Sequence, residues 1–146
     1  MGEKVIYTVG SSDRSPEEFI GLLKSYGIEK LIDVRRFPTS KFEHFQKENL
    51  FDLLENEGVQ YLYLGEKLGG YRRGGYEKYM DSPAFESGMA ELEGSAMQAR
   101  CVIMCAERLP WRCHRRFIAR SLERRDWKVI HILDEKRTWT MSKDAS

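Results

Sequence analysis

Five short apolar runs, separated by helical patterns, restrict the fold of this chain more than any other feature. They occupy residues 5–9, 31–34, 61–64, 101–105 and 129–133, and most are rich in β-branched or aromatic residues. They do not alternate strictly with polar residues, which is typical of strands buried on both faces of a parallel sheet. The pattern therefore predicts a mainly parallel five-stranded sheet.

Helical patterns fill the intervals between these runs. The first begins at Ser15-Pro16-Glu17-Glu18, where a capping serine, a proline at the first helical position and a capping-box glutamate stand together. Similar patterns predict helices over residues 49–57, from residue 82, and over about residues 113–125. The order β-α-β-α-β-α-β-α-β predicts an α/β fold, a single three-layer α/β/α domain over 1–146 with a polar tail from about residue 134.

Composition excludes few classes of partner but does argue against a membrane protein. The chain has 146 residues, with 24 basic and 23 acidic side chains, so overall charge favours neither nucleic acid nor an acidic ligand. No window approaches the roughly 18 consecutive apolar residues of a membrane span. With no secretion signal and three cysteines, we expect a cytoplasmic protein with reduced thiols and no membrane partner.

Polar residues collect where the predicted strands end. In open α/β sheets, ligands bind beyond the carboxyl ends of the strands. Arginine forks and exposed backbone N–H groups suit a phosphate or a carboxylate. We therefore expect a small anionic ligand, held by Gly10, Ser11, Ser12, Arg35, Tyr79, Arg112 and Arg115.

Two carboxylates at this edge are candidates for acid–base chemistry. Glu107 follows the fourth run, and Asp33 lies at the end of the second. In one interpretation, Glu107 is a general acid or base and Asp33 orients an arginine or a water molecule. In the other, Glu107 satisfies a backbone turn, and Asp33 pairs with Arg35 or Arg115.

Cys105, Cys113 and His114 surround a single turn, and three interpretations of them stay open. As core residues, the thiols would behave as small hydrophobes and His114 would form a hydrogen bond. As a metal site, they would hold Zn or Fe, with His44 or water as a fourth ligand. The spacing is not one of a known zinc site, and adjacent residues of a helix point about 100° apart.

In the third interpretation, Cys113 is a reactive thiol and Cys105 takes part in catalysis. A helix N-terminus and several nearby arginines would favour the thiolate of Cys113.

Basic residues also permit nucleic-acid binding. One group recurs at helical spacing, and a second lies among tyrosines in residues 65–80, which we call the glycine-rich segment. A solvated helix face explains the first group equally well. The residues concerned are Arg116, Arg120 and Arg124, and Arg72-Arg73 with Tyr71, Tyr76 and Tyr79.

The stretches "TVGSSDRSPEEF", "IDVRRFP", "GGYRRGGYEKYMDSPAF" and above all "MCAERLPWRCHRRFIA" resemble the domain-of-unknown-function family 488, over about residues 7–132. The resemblance implies an α/β domain of prokaryotic type with no settled activity. Members of that family commonly have a histidine where this chain has Ser11.

These features support two hypotheses about function. In the first, the protein is an enzyme acting on a phosphate-bearing or other anionic substrate, such as a nucleotide or a nucleic-acid component. In the second, it is a non-catalytic module that binds nucleic acid or a metal and acts with a repair or regulatory partner. The sequence does not indicate the oligomeric state.

Overall fold

A computed structural model describes residues 3–140 and contains one mainly parallel sheet. The strands are β1 (Val5–Gly10), β2 (Lys30–Asp33), β3 (Gln60–Tyr63), β4 (Cys101–Cys105), β5 (Lys128–Ile132) and β6 (Thr138–Trp139). Their order is β3-β2-β4-β1-β5-β6, and all neighbours are parallel except β5 and β6. The predicted α/β fold is confirmed, with a sixth, antiparallel strand formed within the predicted tail. The last part of that tail, 141–146, lies outside the described residues.

Six α-helices connect the strands. They are α1 (Pro16–Ser25), α2 (Lys47–Asn56), α3 (Gly65–Leu68), α4 (Tyr76–Tyr79), α5 (Pro83–Gln98) and α6 (Arg115–Arg124). The four long ones begin within about two residues of the predicted helices. The single turns α3 and α4 were not predicted from the sequence. The carbonyls of α3 accept hydrogen bonds from the Tyr76 and Tyr79 side chains, which lie outside that turn.

The capping signals identified in the sequence operate as predicted. Ser15 Oγ accepts the backbone N–H of Glu18 at 3.1 Å, and the Glu18 carboxylate accepts the N–H of Ser15 at 3.3 Å. At the start of α5, Ser82 Oγ accepts the N–H of Phe85 at 3.2 Å. These bonds satisfy donors that a helix N-terminus would otherwise leave unpaired.

The helices cover both faces of the sheet. One buried cluster joins α1 and α2 to the sheet through Phe19, Leu23, Leu50 and Leu54. The other joins α5 and α6 to the opposite face through Phe85, Met89, Leu92, Ile118 and Leu122. This three-layer arrangement buries the central strands on both faces, which explains their lack of polar alternation. Within residues 3–140, no helix combines the length and the apolar character needed to cross a membrane.

The loops that leave β1 and β4 are joined into one unit. The N–H groups of Ser11 and Ser12 donate to the carbonyls of Cys105 and Ala106, at 2.8 and 2.9 Å. Gly10 passes so close to the next turn that a Cβ there would overlap the carbonyl of Glu107. The end of β1 and the loop after β4 therefore hold each other in place.

Candidate functional site

The loop that follows β4 carries the densest group of reactive side chains. It runs over residues 106–114 and leads into α6, beside the neighbouring end of β1. Cys105 ends the strand, and Cys113 and His114 precede the helix. We call Cys105, Cys113 and His114 the thiol cluster.

Cys113 lies just outside the helix in which it was predicted. Its backbone is extended, with φ −118° and ψ 151°, and its sulfur accepts the backbone N–H of Arg115 at 3.5 Å. The sulfur therefore takes the place of a capping oxygen at the start of α6, where the helix dipole favours negative charge. His114 Nδ1 lies 3.5 Å from the same sulfur.

The surroundings shift the pKa values of Cys113 and Cys105 in opposite directions. The hydrogen bond from Cys105 is the largest cause that lowers the pKa of Cys113 to about 4, and His114 and the Arg115 N–H add to it against the effect of burial. Burial, and the bond to Cys113, raise the pKa of Cys105 well above its ordinary value. The negative charge of the pair therefore belongs to Cys113, while the Cys105 thiol donates to the carbonyl of Glu107 at 3.7 Å. Burial also raises the pKa of Cys101, which lies at the start of β4, to about 11.

Contacts on both ring nitrogens orient His114. Nε2 lies 3.1 Å from the carbonyl oxygen of Val34, which accepts a hydrogen bond and has none to donate. Nδ1 lies 3.5 Å from the Cys113 sulfur, within reach to donate to a thiolate there. Tyr76 packs against the ring at 5.4 Å between centroids. A Cβ on Gly70 would lie 3.3 Å from Nδ1, so this glycine allows the close approach of its loop.

Arg115 supports the loop from beneath. It is fully buried, and its Nη2 donates to the carbonyls of Glu107 and Arg108 at 3.0 and 2.9 Å. Nη1 donates to Thr8 Oγ1 at 3.2 Å, and Nε is buried without a partner among the described residues. The residue predicted to bind an anion is thus covered by the loop that it holds.

Asp33 and Arg35 form a buried ion pair on the other face of the sheet. Arg35 Nη2 lies 2.8 Å from Asp33 Oδ2, and Nε lies 2.9 Å from Oδ1. Tyr61 donates to Asp33 at 2.7 Å, and Arg35 Nη1 donates to the carbonyl of Phe45 at 2.6 Å. The pair therefore lies among residues of the α1 and α2 layer, whereas Arg115 contacts Thr8 in the α5 and α6 layer. The structure does not bring Arg35 and Arg115 together.

Among the predicted site residues, Glu107 and Arg112 are exposed at the surface of the loop. Glu107 Oε1 accepts the backbone N–H of Leu109 at 3.1 Å, as in the turn interpretation. Its role in acid–base catalysis stays a prediction. Within residues 3–140, the Arg112 guanidinium has no hydrogen-bond partner, and its role in anion binding stays a prediction.

The other predicted binding groups are committed to internal contacts. The N–H groups of Ser11 and Ser12 bind carbonyls of the β4 loop, as described above, and the Gly10 carbonyl accepts Arg14 Nε at 3.1 Å. Tyr79 donates to the carbonyl of Lys67 at 2.7 Å. Arg72 lies 3.9 Å over the Tyr79 ring and donates to the carbonyls of Gly69 and Glu66.

Metal binding by Cys105, Cys113 and His114 stays a prediction. Within residues 3–140, no group of three or more His, Cys, Asp or Glu side chains is placed to hold a metal ion. The proposed fourth ligand, His44, has its Nε2 2.7 Å from the carbonyl of Arg14.

Sequence reasoning missed two neighbours of His114, which are the carbonyl of Val34 and the backbone at Gly70. Val34 acts through its backbone carbonyl, which no residue-type pattern reveals. The adjacent glycines at 69 and 70 were a usable signal, because paired glycines in a loop often permit close approach of the backbone.

Comparison with known families covers the region just described. A family model described as domain of unknown function DUF488 matches residues 15–122, which is well over half of the chain. The chain belongs to this family. The match spans α1 to most of α6 and includes the thiol cluster, whereas β1, Ser11 and β5 of this DUF488 protein lie outside it. No curated protein and no solved structure was found to match.

Proposed function

We propose that this DUF488 protein is an enzyme that uses the Cys113 thiolate as a nucleophile on a substrate carrying negative charge. The observation that carries the proposal is the position of the Cys113 sulfur, which accepts the Arg115 N–H at 3.5 Å and faces His114 Nδ1 at 3.5 Å. A thiolate stabilised by a helix N-terminus and an imidazolium is the activated form of a cysteine nucleophile.

The groups around the sulfur can complete a transfer cycle. The sulfur attacks the electrophilic atom of the substrate, and the bond from that atom to the leaving group breaks as the new bond forms. The imidazolium of His114 gives its Nδ1 proton to the leaving group. Water then attacks the sulfur-bound group, His114 takes a proton from that water, and the thiolate is restored.

The choice of an anionic substrate follows from the charges beside the sulfur. Arg112, which directly precedes Cys113, is exposed without a partner in the described chain, and the Cys113 sulfur lies at the positive end of the α6 dipole. Arg108 lies on the same loop, and its bond to exposed Asp13, at 3.2 Å, is a weak surface pair that a stronger anion can replace. Such chemistry requires reduced thiols, which fits a cytoplasmic location.

The first test is the pH dependence of alkylation, with peptide mapping by mass spectrometry. With a pKa of about 4 for Cys113, we expect its reaction rate with iodoacetamide to be nearly constant above about pH 5. Cys101, whose pKa is about 11, serves as the internal control and stays unmodified in the folded protein. A Cys113 rate that rises through about pH 8.5, as for an ordinary thiol, would contradict the proposal.

The second test is turnover of a panel of phosphate and carboxylate esters. Cys113→Ser abolishes turnover, Cys101→Ser leaves it unchanged, and Arg112→Ala raises KM more than it lowers kcat. Turnover that survives Cys113→Ser would place the chemistry elsewhere, with the Glu107 carboxylate as the next candidate.

A further inference from the structure

Two large aromatic rings lie exposed at the carboxyl edge of the sheet, close to the thiol cluster. Phe37 follows β2 and Tyr71 follows α3, and their side chains are 61% and 87% exposed. Their ring centroids are 6.1 Å apart, and the ring planes are inclined at 35°. We call Phe37 and Tyr71 the aromatic pair.

The backbone holds Tyr71 in a conformation that tyrosine rarely adopts. Its φ is +59°, in the left-handed region. Arg36 Nη1 donates to the carbonyl of Tyr71 at 3.3 Å. Gly69 packs so tightly that a Cβ on it would overlap the backbone of Arg36. A strained residue that its surroundings keep in place, with its side chain in solvent, is typical of a binding site.

The surroundings of the aromatic pair are basic. The Arg36 guanidinium lies 5.8 Å from the Phe37 ring centroid, and Arg73 is exposed two residues after Tyr71. Exposed aromatic rings with arginines beside them match the bases and phosphates of a nucleic-acid strand.

We propose that the aromatic pair binds single-stranded nucleic acid, with bases stacked on Phe37 and Tyr71 and phosphates paired with Arg36 and Arg73. A duplex does not fit, because its bases are already stacked on one another. Tyr76, Tyr79 and Arg72 make internal contacts, so the binding surface consists of the aromatic pair with Arg36 and Arg73. This proposal is independent of the proposed function, although Gly70, which precedes Tyr71, lies close to His114.

The test is fluorescence anisotropy with labelled oligo-dT, oligo-rU and a duplex, each about twelve nucleotides long, using the full chain. We expect both single strands to bind more tightly than the duplex, with affinity falling between about 50 and 200 mM salt. Phe37→Ala and Tyr71→Ala each weaken binding by about fivefold or more, whereas Tyr71→Phe retains it. A difference between the oligo-dT and oligo-rU affinities identifies the natural strand.

Matched controls separate this surface from general stickiness and from loss of structure. Met97→Ala removes another exposed apolar side chain, and Lys128→Ala removes an exposed basic side chain at the start of β5, and neither should change affinity. Tyr71→Gly relieves the positive φ, so we expect it to raise the melting temperature while it weakens binding. If Tyr71 had only a structural role, the Tyr71→Gly variant would bind oligonucleotides as tightly as the wild type.

Three outcomes overturn the proposal. The first is the absence of oligonucleotide binding, which would indicate that the surface binds a protein instead. The second is equal affinity for the duplex and the single strands. The third is wild-type affinity in the Phe37→Ala and Tyr71→Ala variants. Cys113→Ser should bind oligonucleotides like the wild type. An unreactive Cys113 in a protein that still binds them would refute the proposed function alone.

Discussion

Thr8, His131 and Arg115 form a buried polar chain around a histidine. Thr8 Oγ1 accepts from Arg115 Nη1 at 3.2 Å and lies 2.6 Å from His131 Nδ1. Burial and the neighbouring guanidinium both favour the neutral form of the ring. Burial first, and then the charge of Arg115, lower the pKa of His131 from 6.5 to about 3.

This neutral histidine predicts a loss of stability in mild acid. The unfolded state binds a proton below about pH 6.5 and the folded state does not, so the free energy of unfolding falls as the pH drops from 6.5 towards 3. Between pH 7 and pH 5, we expect His131 to account for a loss of about 2 kcal/mol. Urea unfolding of His131→Gln, which cannot be charged, should lack this part of the loss. Equal losses in both proteins would contradict the prediction.

At the residue scale, the sequence predicted residue types better than their partners. The pairing of Asp33 with Arg35 was among its interpretations, because a polar residue inside an apolar run must find a partner. That Arg115 would be buried beneath carbonyls, rather than exposed to an anion, was not predictable. Its position depends on the path of the 106–114 loop, whose Glu107 and Arg108 carbonyls lie eight and seven residues away in sequence.

At the scale of elements, glycine acts in two distinct ways. Gly10 lies where β1 passes against the β4 loop, and a Cβ there would overlap the carbonyl of Glu107. Gly94 lies in α5, and a Cβ there has no neighbour within 4 Å. The first is required for close approach, whereas the second only weakens a helix.

Alanine at these two positions should therefore have opposite effects. Gly10→Ala forces the two loops apart, and we expect the free energy of unfolding to fall by about 2 kcal/mol or more. Gly94→Ala should raise it by roughly 0.5–1 kcal/mol, since alanine is the better helix former. Chemical denaturation with matched controls at pH 7 measures both changes. A harmless Gly10→Ala would mean that the β1 and β4 loops are not held together as described.

Local sequence signals predicted the positions of α1 and α5, whereas α3 depends on a contact from farther along the chain. The capping box at Ser15 and the cap at Ser82 placed α1 and α5, because both signals lie within a few residues of the helix that they begin. The single-turn helix α3 depends instead on Tyr76, which donates to the carbonyl of Leu68 at 2.7 Å from eight residues away. Helix propensity over the four residues of α3 is too weak a signal to predict it, unlike the capping residues of α1 and α5.

At the scale of the molecule, the sheet is most strongly held at its centre. β1 and β4 are paired on both sides, and every residue of β4 is buried. β3 and β6 lie at the two edges, and β6 has only two residues. Backbone groups of the central strands therefore become exposed only when the sheet opens as a whole.

Hydrogen exchange followed by mass spectrometry tests this order of stability. We expect the slowest exchange in β1 and β4, faster exchange in β3, and the fastest in β6. A β3 peptide protected as strongly as β4 would indicate that another chain covers that edge in solution.

The hydrogen bonds from Arg115 to the carbonyls of Glu107 and Arg108 separate the residues that hold the 106–114 loop in place from the residues at its surface. They hold the base of the loop, whereas Trp111 and Arg112, near the tip, are exposed. Under the proposed function, substitutions at the tip would change which substrate the loop binds, while the bonds from Arg115 keep the base of the loop in place. A relative with the same base and a different tip would then combine the same nucleophile with a different substrate, so selection could act on each separately.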